Sequence, residues 1–546
     1  MSHRLSFALL AVIVSIFGSL AFRHINTQGI LYHDAGVYLL EAKFLQEGVD
    51  IILQRKISRE PGFWTEIKQQ TEGVPIYSGK PGWSLILAAG GWFFGFHDAL
   101  SAKITAAMGL LILILVFILS KQIGSSLSAI YSTALLASSV FFLVTSRNGL
   151  PDHAVTVFFL SALVLYFFVK PLVPHSFNTP LWKTNSLFYL AGLLVGYAFA
   201  CNQWRSLYFL PLLVGMAASR MLFEEKRFDA FPLILLFLGF LTPIAIFQMP
   251  YWIVQKISGP LPFRDYWEQL GERLQPLKEI LWFYSPGQLG QEFWKLEGPF
   301  FTSAIIFSWV FLFFRFCRSK RLPDLFLLFF SLIPFLYFSA ITSGGDALPR
   351  TVASILPIAC MAAGEVTASL HRLTEKFFPL GGNFRPFIIG LISFLFLFSG
   401  FGRQSALGIA SSGYAEAGGF FKKLPRQRLM ILGLEPIWRF YLGRVAYEPY
   451  HRPKNLQEAL QIADREGIEY LIADYSTLHS KYGAEFTKNL VEKVEPSAVF
   501  SNPRGNAFAY LLDEFGLRIA EKISRDPASG KIYIFSLTEV LKKYPL

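Results

Sequence analysis

Residues 146–169 read SRNGLPDHAVTVFFLSALVLYFFV. The first six positions are a turn, with Asn148-Gly149 and Pro151 as its breakers. From His153 onward the run is apolar or aromatic on every side and carries no formal charge. A helix apolar all round is buried in protein or in lipid, and a membrane helix needs roughly 20 such residues. Asp152 stands at the helix start, where unpaired N–H groups and the dipole favour a carboxylate, so a cap is its simplest role. A charged turn opening into an all-round apolar helix is the pattern of a membrane boundary.

The pattern recurs along the chain. Apolar runs fall at 5–22, 101–119, 126–146, 152–169, 186–201, 206–222, 229–250, 298–316, 324–342, 350–370 and 385–402. Residues 1–402 are about 13% charged and residues 403–546 about 25%, the latter the value of an ordinary soluble domain. The fold class expected is therefore a polytopic α-helical membrane protein of about 11–13 transmembrane helices. Its domains are a membrane part over 1–402 and a soluble α/β domain over 403–546. The first run lacks a cleavage site and reads as an uncleaved helix. Cys201, Cys317 and Cys360 all lie in apolar runs, which excludes a disulfide framework.

Sidedness follows from the short loops. Those around residues 4, 121, 170–183, 220–227, 315–321 and 372–385 hold most of the Lys and Arg, whereas the opposite loops hold Arg147, Arg205 and Arg350. The basic side is cytoplasmic, and the same clustering beside apolar runs explains the net charge of +12 without nucleic acid. Residues 82–97 (GWSLILAAGGWFFGFH) would break the parity if they spanned, so they read as a re-entrant or interfacial helix. The expected location is a bacterial plasma membrane with the N-terminus cytoplasmic. The loop 23–100 and the C-terminal domain then lie on the extracytoplasmic side.

The tail alternates short apolar strands at 429–433, 470–473, 508–512 and 532–536 with a helical stretch at 455–466 ending at Gly467. It contains no GxGxxG, P-loop, HExxH or nucleophile elbow. The chemistry-bearing residues lie in the outer loops of the membrane part. Asp34 sits a dozen residues past the first helix, and Asp152 opens the helix quoted above. Lys80 precedes Pro81-Gly82, while Arg147, Arg205 and Arg350 each stand at an outer helix end. One at a time, these cations are explained by snorkelling to lipid phosphate. Together, cations on the side that the charge bias depletes suit a phosphate or pyrophosphate. A carboxylate beside them suits proton removal from an acceptor hydroxyl or amine.

At these residues the sequence resembles the GT-C glycosyltransferases, in particular the dolichyl-phosphate-mannose–protein mannosyltransferase and aminoarabinose transferase families. The resemblance rests on Asp34-x-x-x-Tyr38 followed by Ala42 and Gly48, on Lys80-Pro81-Gly82, on Arg147 with Leu150-Pro151-Asp152, and on Pro349-Arg350 running to Leu356-Pro357. Ala35 and Gly82 depart from the family pattern, which often has an acid and a second proline there. The resemblance implies Asp34 and Asp152 as catalytic acids and Lys80, Arg147, Arg205 and Arg350 as donor-phosphate contacts. It implies transfer of a sugar from a polyprenyl-phosphate donor to an acceptor lipid, glycan or protein, with membrane lipids as the surroundings. A divalent ion shared by the two Asp side chains stays open as a cofactor, although no ligand cluster demands it. The alternative is a transporter or flippase of a lipid-linked or anionic solute, which would show inverted repeats and midplane charges. A non-enzymatic scaffold leaves Asp34, Lys80 and Asp152 without a common purpose.

Overall fold

Among the described residues, each of the eleven apolar runs overlaps at least one helix. The computed structural model describes residues 3–55, 70, 73, 79–169, 181–223, 228–258, 267–268, 293–294, 297–341, 354–377, 384–407, 411–424, 428–431, 435–442, 446–447, 456–474, 484–502 and 530–546. The helices of the membrane part begin with α1 (His3–Ala21), α2 (His33–Arg55), α3 (Pro81–Phe94), α4 (Leu100–Ile123) and α5 (Ser126–Ser138). They continue with α6 (Val140–Thr145), α7 (Asp152–Val169), α8 (Leu181–Cys201), α9 (Gln203–Ser206) and α10 (Phe209–Phe223). The last five are α11 (Ala230–Ser258), α12 (Pro299–Ser319), α13 (Leu322–Ile341), α14 (Leu356–Phe377) and α15 (Phe384–Leu407). Among the described residues, α1, α4, α11 and α12 are long and apolar enough to cross a membrane, and shorter apolar helices accompany them. The chain is a polytopic α-helical membrane protein with a C-terminal α/β domain.

The run 126–146 is one apolar stretch in sequence but two helices in space. Ser139 leaves the helical region at φ −69°, ψ 130° and caps α6, its Oγ accepting from Phe142 N at 3.0 Å. Glu297, just ahead of α12, accepts from Ser139 Oγ at 2.6 Å, Val140 N at 3.0 Å and Phe141 N at 2.8 Å. A carboxylate at a helix N-terminus satisfies donors that the break would leave bare.

Helices α8 and α11 pack by close backbone approach. A Cβ on Gly192 would lie 2.0 Å from Leu236 O, and one on Gly239 would lie 2.1 Å from Tyr189 O. Such small-residue contacts replace the hydrophobic driving force that lipid does not supply.

Residues 23–36, the 79–99 segment and the C-terminal domain meet on one face of the bundle. Helix α3 lies there with Pro81 at its first position and its Lys80 end buried, while Trp92, Phe93 and Phe94 at the other end are exposed. Its 14 residues span about 21 Å, less than the roughly 30 Å hydrocarbon core. On the opposite face, Arg315 Nε donates to Asp324 Oδ2 at 2.8 Å and Arg315 Nη2 reaches Glu365 Oε1 at 3.3 Å. Arg372 joins Glu365 at 3.4 Å, so the end of α12 and the start of α13 are tied to the middle of α14.

The C-terminal domain runs α16 (Tyr414–Lys422), β1 (Leu429–Ile431), α17 (Glu435–Leu442), β2 (Ala446–Tyr447), α18 (Leu456–Arg465), β3 (Tyr470–Asp474), α19 (Ala484–Lys493), β4 (Ala498–Ser501), β5 (Lys531–Ser536) and α20 (Leu537–Lys543). The strand order is β2-β1-β3-β5-β4. Strand β1 is parallel to β2 and β3, with Leu429 opposite Ala446 and Tyr470, whereas β5 is antiparallel to β3 and β4. Ala459, Leu460 and Ala463 of α18 pack in the core with Leu471 and Phe535 of the sheet. Gly467 ends α18 at φ +61°, the left-handed conformation that favours glycine. The expected strand at 508–512 lies outside the described residues, and β2 and β4 are additions to the sequence reading.

Candidate functional site

Helices α2 and α3 bring the first pair of candidates together. Asp34 is in the first turn of α2. One turn on, the hydroxyl of Tyr38 accepts from Lys80 Nζ, which also lies 5.1 Å from the Tyr38 ring centroid. Lys80 is the residue before Pro81 and is buried. A second tie follows along the same helices, with Ser84 Oγ donating to Glu41 Oε2 at 2.6 Å. The Asp-x-x-x-Tyr spacing therefore places Tyr38 where it holds the Lys80 ammonium.

The second pair lies where α7 and α9 approach. Asp152, buried at the start of α7, is 3.6 Å from Arg205 Nε, so the two motifs join as a carboxylate and guanidinium pair. The Arg205 backbone is fixed from within its turn, where Asn202 Oδ1 accepts from Arg205 N at 3.4 Å. Two contacts join this pair to the first. Gln203, on the same short helix as Arg205, donates from Nε2 to Gly79 O, beside Lys80. Gly149, three residues before Asp152, packs so closely on α2 that a Cβ would lie 3.3 Å from Ala35 Cβ. At φ +72° and with a Cβ only 2.5 Å from Ser101 Oγ, that position is restricted to glycine.

Arg147 is bonded differently from the other cations. It is fully buried, and its Nη1 donates to the carbonyls of Leu20 at 3.0 Å, Ala21 at 3.3 Å and Arg23 at 2.7 Å. Its Nη2 donates to Gln28 Oε1 at 3.0 Å, and Gln28 Nε2 donates back to Arg147 O at 2.8 Å. Burial, reinforced by the charge of Arg23, lowers its guanidinium to about 10, so it stays charged at neutral pH. A cation at the carbonyl end of a helix meets the negative end of the dipole. Both its Nη groups are committed to the end of α1 and to Gln28, which sets Arg147 apart from Lys80 and Arg205. Arg350 lies outside the described residues.

An apolar groove of about 610 Å³ begins at Leu207 and Tyr208, two residues past Arg205 in the chain. It runs between α7, α10 and α13, from Leu207 and Tyr208 along Leu212 and Met216 to Ser219 and Arg220. Residues 207–220 cover about 20 Å along a helix. At its upper end Tyr337 donates to Trp204 O at 3.3 Å, and Tyr208 donates to Ser354 Oγ at 3.0 Å. Sequence reasoning missed this groove and the roles of Gln28 and Gln203; only the membrane-facing periodicity of α10 and α13 hints at the first.

Among the described residues no three His, Cys, Asp or Glu side chains are grouped to hold a metal ion. Asp152 faces Arg205, and a guanidinium within 4 Å disfavours a second cation. Among the described residues, Asp152 and its surroundings do not form a donor set that fits a divalent ion.

No family model matches the sequence, and no curated protein does. Solved structures do. The chain is similar to the oligosaccharyltransferase of Archaeoglobus fulgidus tethered to an acceptor peptide containing the NVT sequon, at 12% identity and TM-score 0.56, over 92% of this chain and 74% of that one. AglB from the same organism, in complex with an inhibitory peptide and a dolichol-phosphate, aligns at 13% identity and TM-score 0.54, over 95% and 72%. ArnT from Cupriavidus metallidurans bound to undecaprenyl phosphate aligns at 12% identity and TM-score 0.52, over 90% and 92%. With alignments covering nine-tenths or more of its length, this chain has the fold of the GT-C membrane glycosyltransferases.

Proposed function

We propose that this protein is an integral membrane glycosyltransferase, moving a sugar from a polyprenyl-phosphate donor to an acceptor on the extracytoplasmic face. The observation that carries the reading is the apolar groove that starts at Leu207 and Tyr208, two residues past Arg205 in the chain, with Lys80 on the loop that Gln203 holds. The apolar lining suits a long isoprenoid tail, and a phosphate beyond the Leu207 end comes toward Arg205. Dolichol-phosphate in the AglB structure and undecaprenyl phosphate in the ArnT structure are ligands of this chemical kind.

In this reading Asp34 accepts the proton of the acceptor hydroxyl as its oxygen attacks the anomeric carbon. The bond from that carbon to the phosphate oxygen breaks, and the phosphate leaves with the electron pair. Lys80 and Arg205 neutralise the charge that develops, an effect strongest where water is excluded. Asp152 orients Arg205 and keeps the local charge near zero before the donor binds. Arg350 is retained as a further phosphate contact, and Arg147 holds the loop in place. A transporter reading gains nothing from the described residues, because the site's charges sit at helix ends and not at mid-helix.

The experiment is mass spectrometry of envelope lipids, glycans and glycoproteins from cells with the protein, without it, and with Asp34→Asn. A sugar modification present only with the wild type identifies the acceptor. Identical profiles in all three would overturn the assignment.

A further inference from the structure

Tyr441, in the last turn of α17, reaches from the C-terminal domain into the loop that carries Asp34. Its hydroxyl accepts from Ile30 N at 3.1 Å and donates to Asp98 Oδ2 at 3.0 Å. One phenol thus joins the C-terminal domain, the segment leading into α2 and the turn between α3 and α4. Burial, with Asp98 next in effect, pushes this phenol well above its ordinary value, so it keeps the proton that it donates.

Two further contacts grip the same segment. Ser412 N donates to Gln28 O at 2.8 Å, beside Gly29 at φ +65°, where a Cβ would lie 2.4 Å from Ser412 Oγ. Past Asp34, a Cβ on Gly36 would lie 3.2 Å from the backbone of Ile437 in α17. Asp34 lies between Ile30 and Gly36, both held by α17. From the membrane side, Arg147 holds Gln28 at the start of the segment.

We propose that Tyr441 is a positioning residue for Asp34, through which the C-terminal domain sets where the start of α2 stands. The proposal rests on the reading of Asp34 as the proton acceptor. A displacement of about 1 Å at a reacting group costs on the order of a hundredfold in rate, so small shifts of α17 would be felt at Asp34.

The test uses the full chain in lipid nanodiscs. Turnover is read as polyprenyl phosphate released from lipid-linked sugars extracted from the host membrane, and binding is read with undecaprenyl phosphate. Tyr441→Phe keeps the ring and removes the hydroxyl. It should lower turnover about ten- to a hundredfold, leave undecaprenyl phosphate affinity within about twofold, and speed amide exchange at Ile30. Asp98→Asn still offers the phenol an acceptor oxygen and should remain near wild type. Wild-type turnover in Tyr441→Phe overturns the proposal. So does a parallel fall of turnover, affinity and melting temperature, which reports general unfolding. Asp34→Asn is assayed alongside: full turnover there removes the reading of Asp34 itself, whereas an inactive Asp34→Asn with an active Tyr441→Phe removes only the positioning role.

Discussion

Replacing Arg147 by Met separates a structural clamp from a phosphate contact. Met keeps an apolar stem of similar length and removes the guanidinium. Four hydrogen bonds go with it, to the carbonyls of Leu20, Ala21 and Arg23 and to Gln28 Oε1. Arg23 is exposed and its carbonyl can turn to water, but Leu20, Ala21 and Gln28 are buried. Each acceptor left unsatisfied costs about 1–3 kcal/mol. The three share one guanidinium, so the costs fall short of additive, and the total is about 3–5 kcal/mol. At roughly 2 °C per kcal/mol for a large chain, the melting temperature drops by about 6–10 °C. The assay is thermal unfolding in detergent without donor, beside Arg147→Lys, which retains some of the donors and should lie between. A phosphate contact behaves in the opposite way. If Arg147→Met melts within about 1 °C of wild type while undecaprenyl phosphate affinity falls by one to two decades, the clamp reasoning is refuted.

Three other outcomes follow from the same geometry. Gly215 lines the groove, and a Cβ there meets nothing within 4 Å; Gly215→Phe should weaken undecaprenyl phosphate about tenfold by occupying about one aromatic ring's area, with short-chain prenyl phosphate and melting unchanged. Lys80→Ala should cost about one to two decades in undecaprenyl phosphate affinity, and Tyr38→Phe less, measured in the same titration; an unaltered affinity in Lys80→Ala would take Lys80 out of the phosphate site. Arg315→Met leaves the Asp324 and Glu365 carboxylates buried and should destabilise by about 3–5 kcal/mol with donor affinity intact in the protein that remains folded.

The helices were legible because a run apolar on all sides has few alternatives in lipid, and among the described residues each such run overlaps a helix. The break at Ser139 was not, because Ser-Val-Phe-Phe reads as one more apolar stretch and its cap, Glu297, is 158 residues away. The candidate carboxylates and cations were found by charge on the depleted side, a rule about location that is blind to bonding. It grouped Lys80, Arg147 and Arg205 as equals. The structure divides them, because the partners of Arg147 are backbone carbonyls of α1, to which sequence pattern gives no access. The pairing of Asp152 with Arg205 was likewise hidden: each was visible as an outer helix end, and only the packing of α7 against α9 makes them neighbours. In the C-terminal domain β1, β3 and β5 fall on apolar runs that read as strands, while the two-residue β2 and the alternately exposed β4 offer no continuous apolar run.

The proposed donor, with a lipid tail and a polar head, sets a problem that this arrangement of loops would answer. The tail is soluble only in the bilayer, and the acceptor reaches the site through water, so the reacting phosphate must sit at the boundary. Charges sunk to mid-helix would cost several kcal/mol each in desolvation. Charges left on mobile loops would lose the geometry that transition-state stabilisation requires. The intermediate solution is to place them at helix ends and to brace those ends with buried polar contacts. Gln203 braces the Lys80 turn, Arg147 and Gln28 brace the Asp152 loop against α1, and Tyr441 braces the approach to Asp34. Each brace reaches a backbone carbonyl or amide, so it fixes the chain itself. It follows that substitutions at Gln28 and Tyr441 should lower turnover with little change in lipid affinity, whereas those at Gln203 and along the groove should weaken lipid affinity.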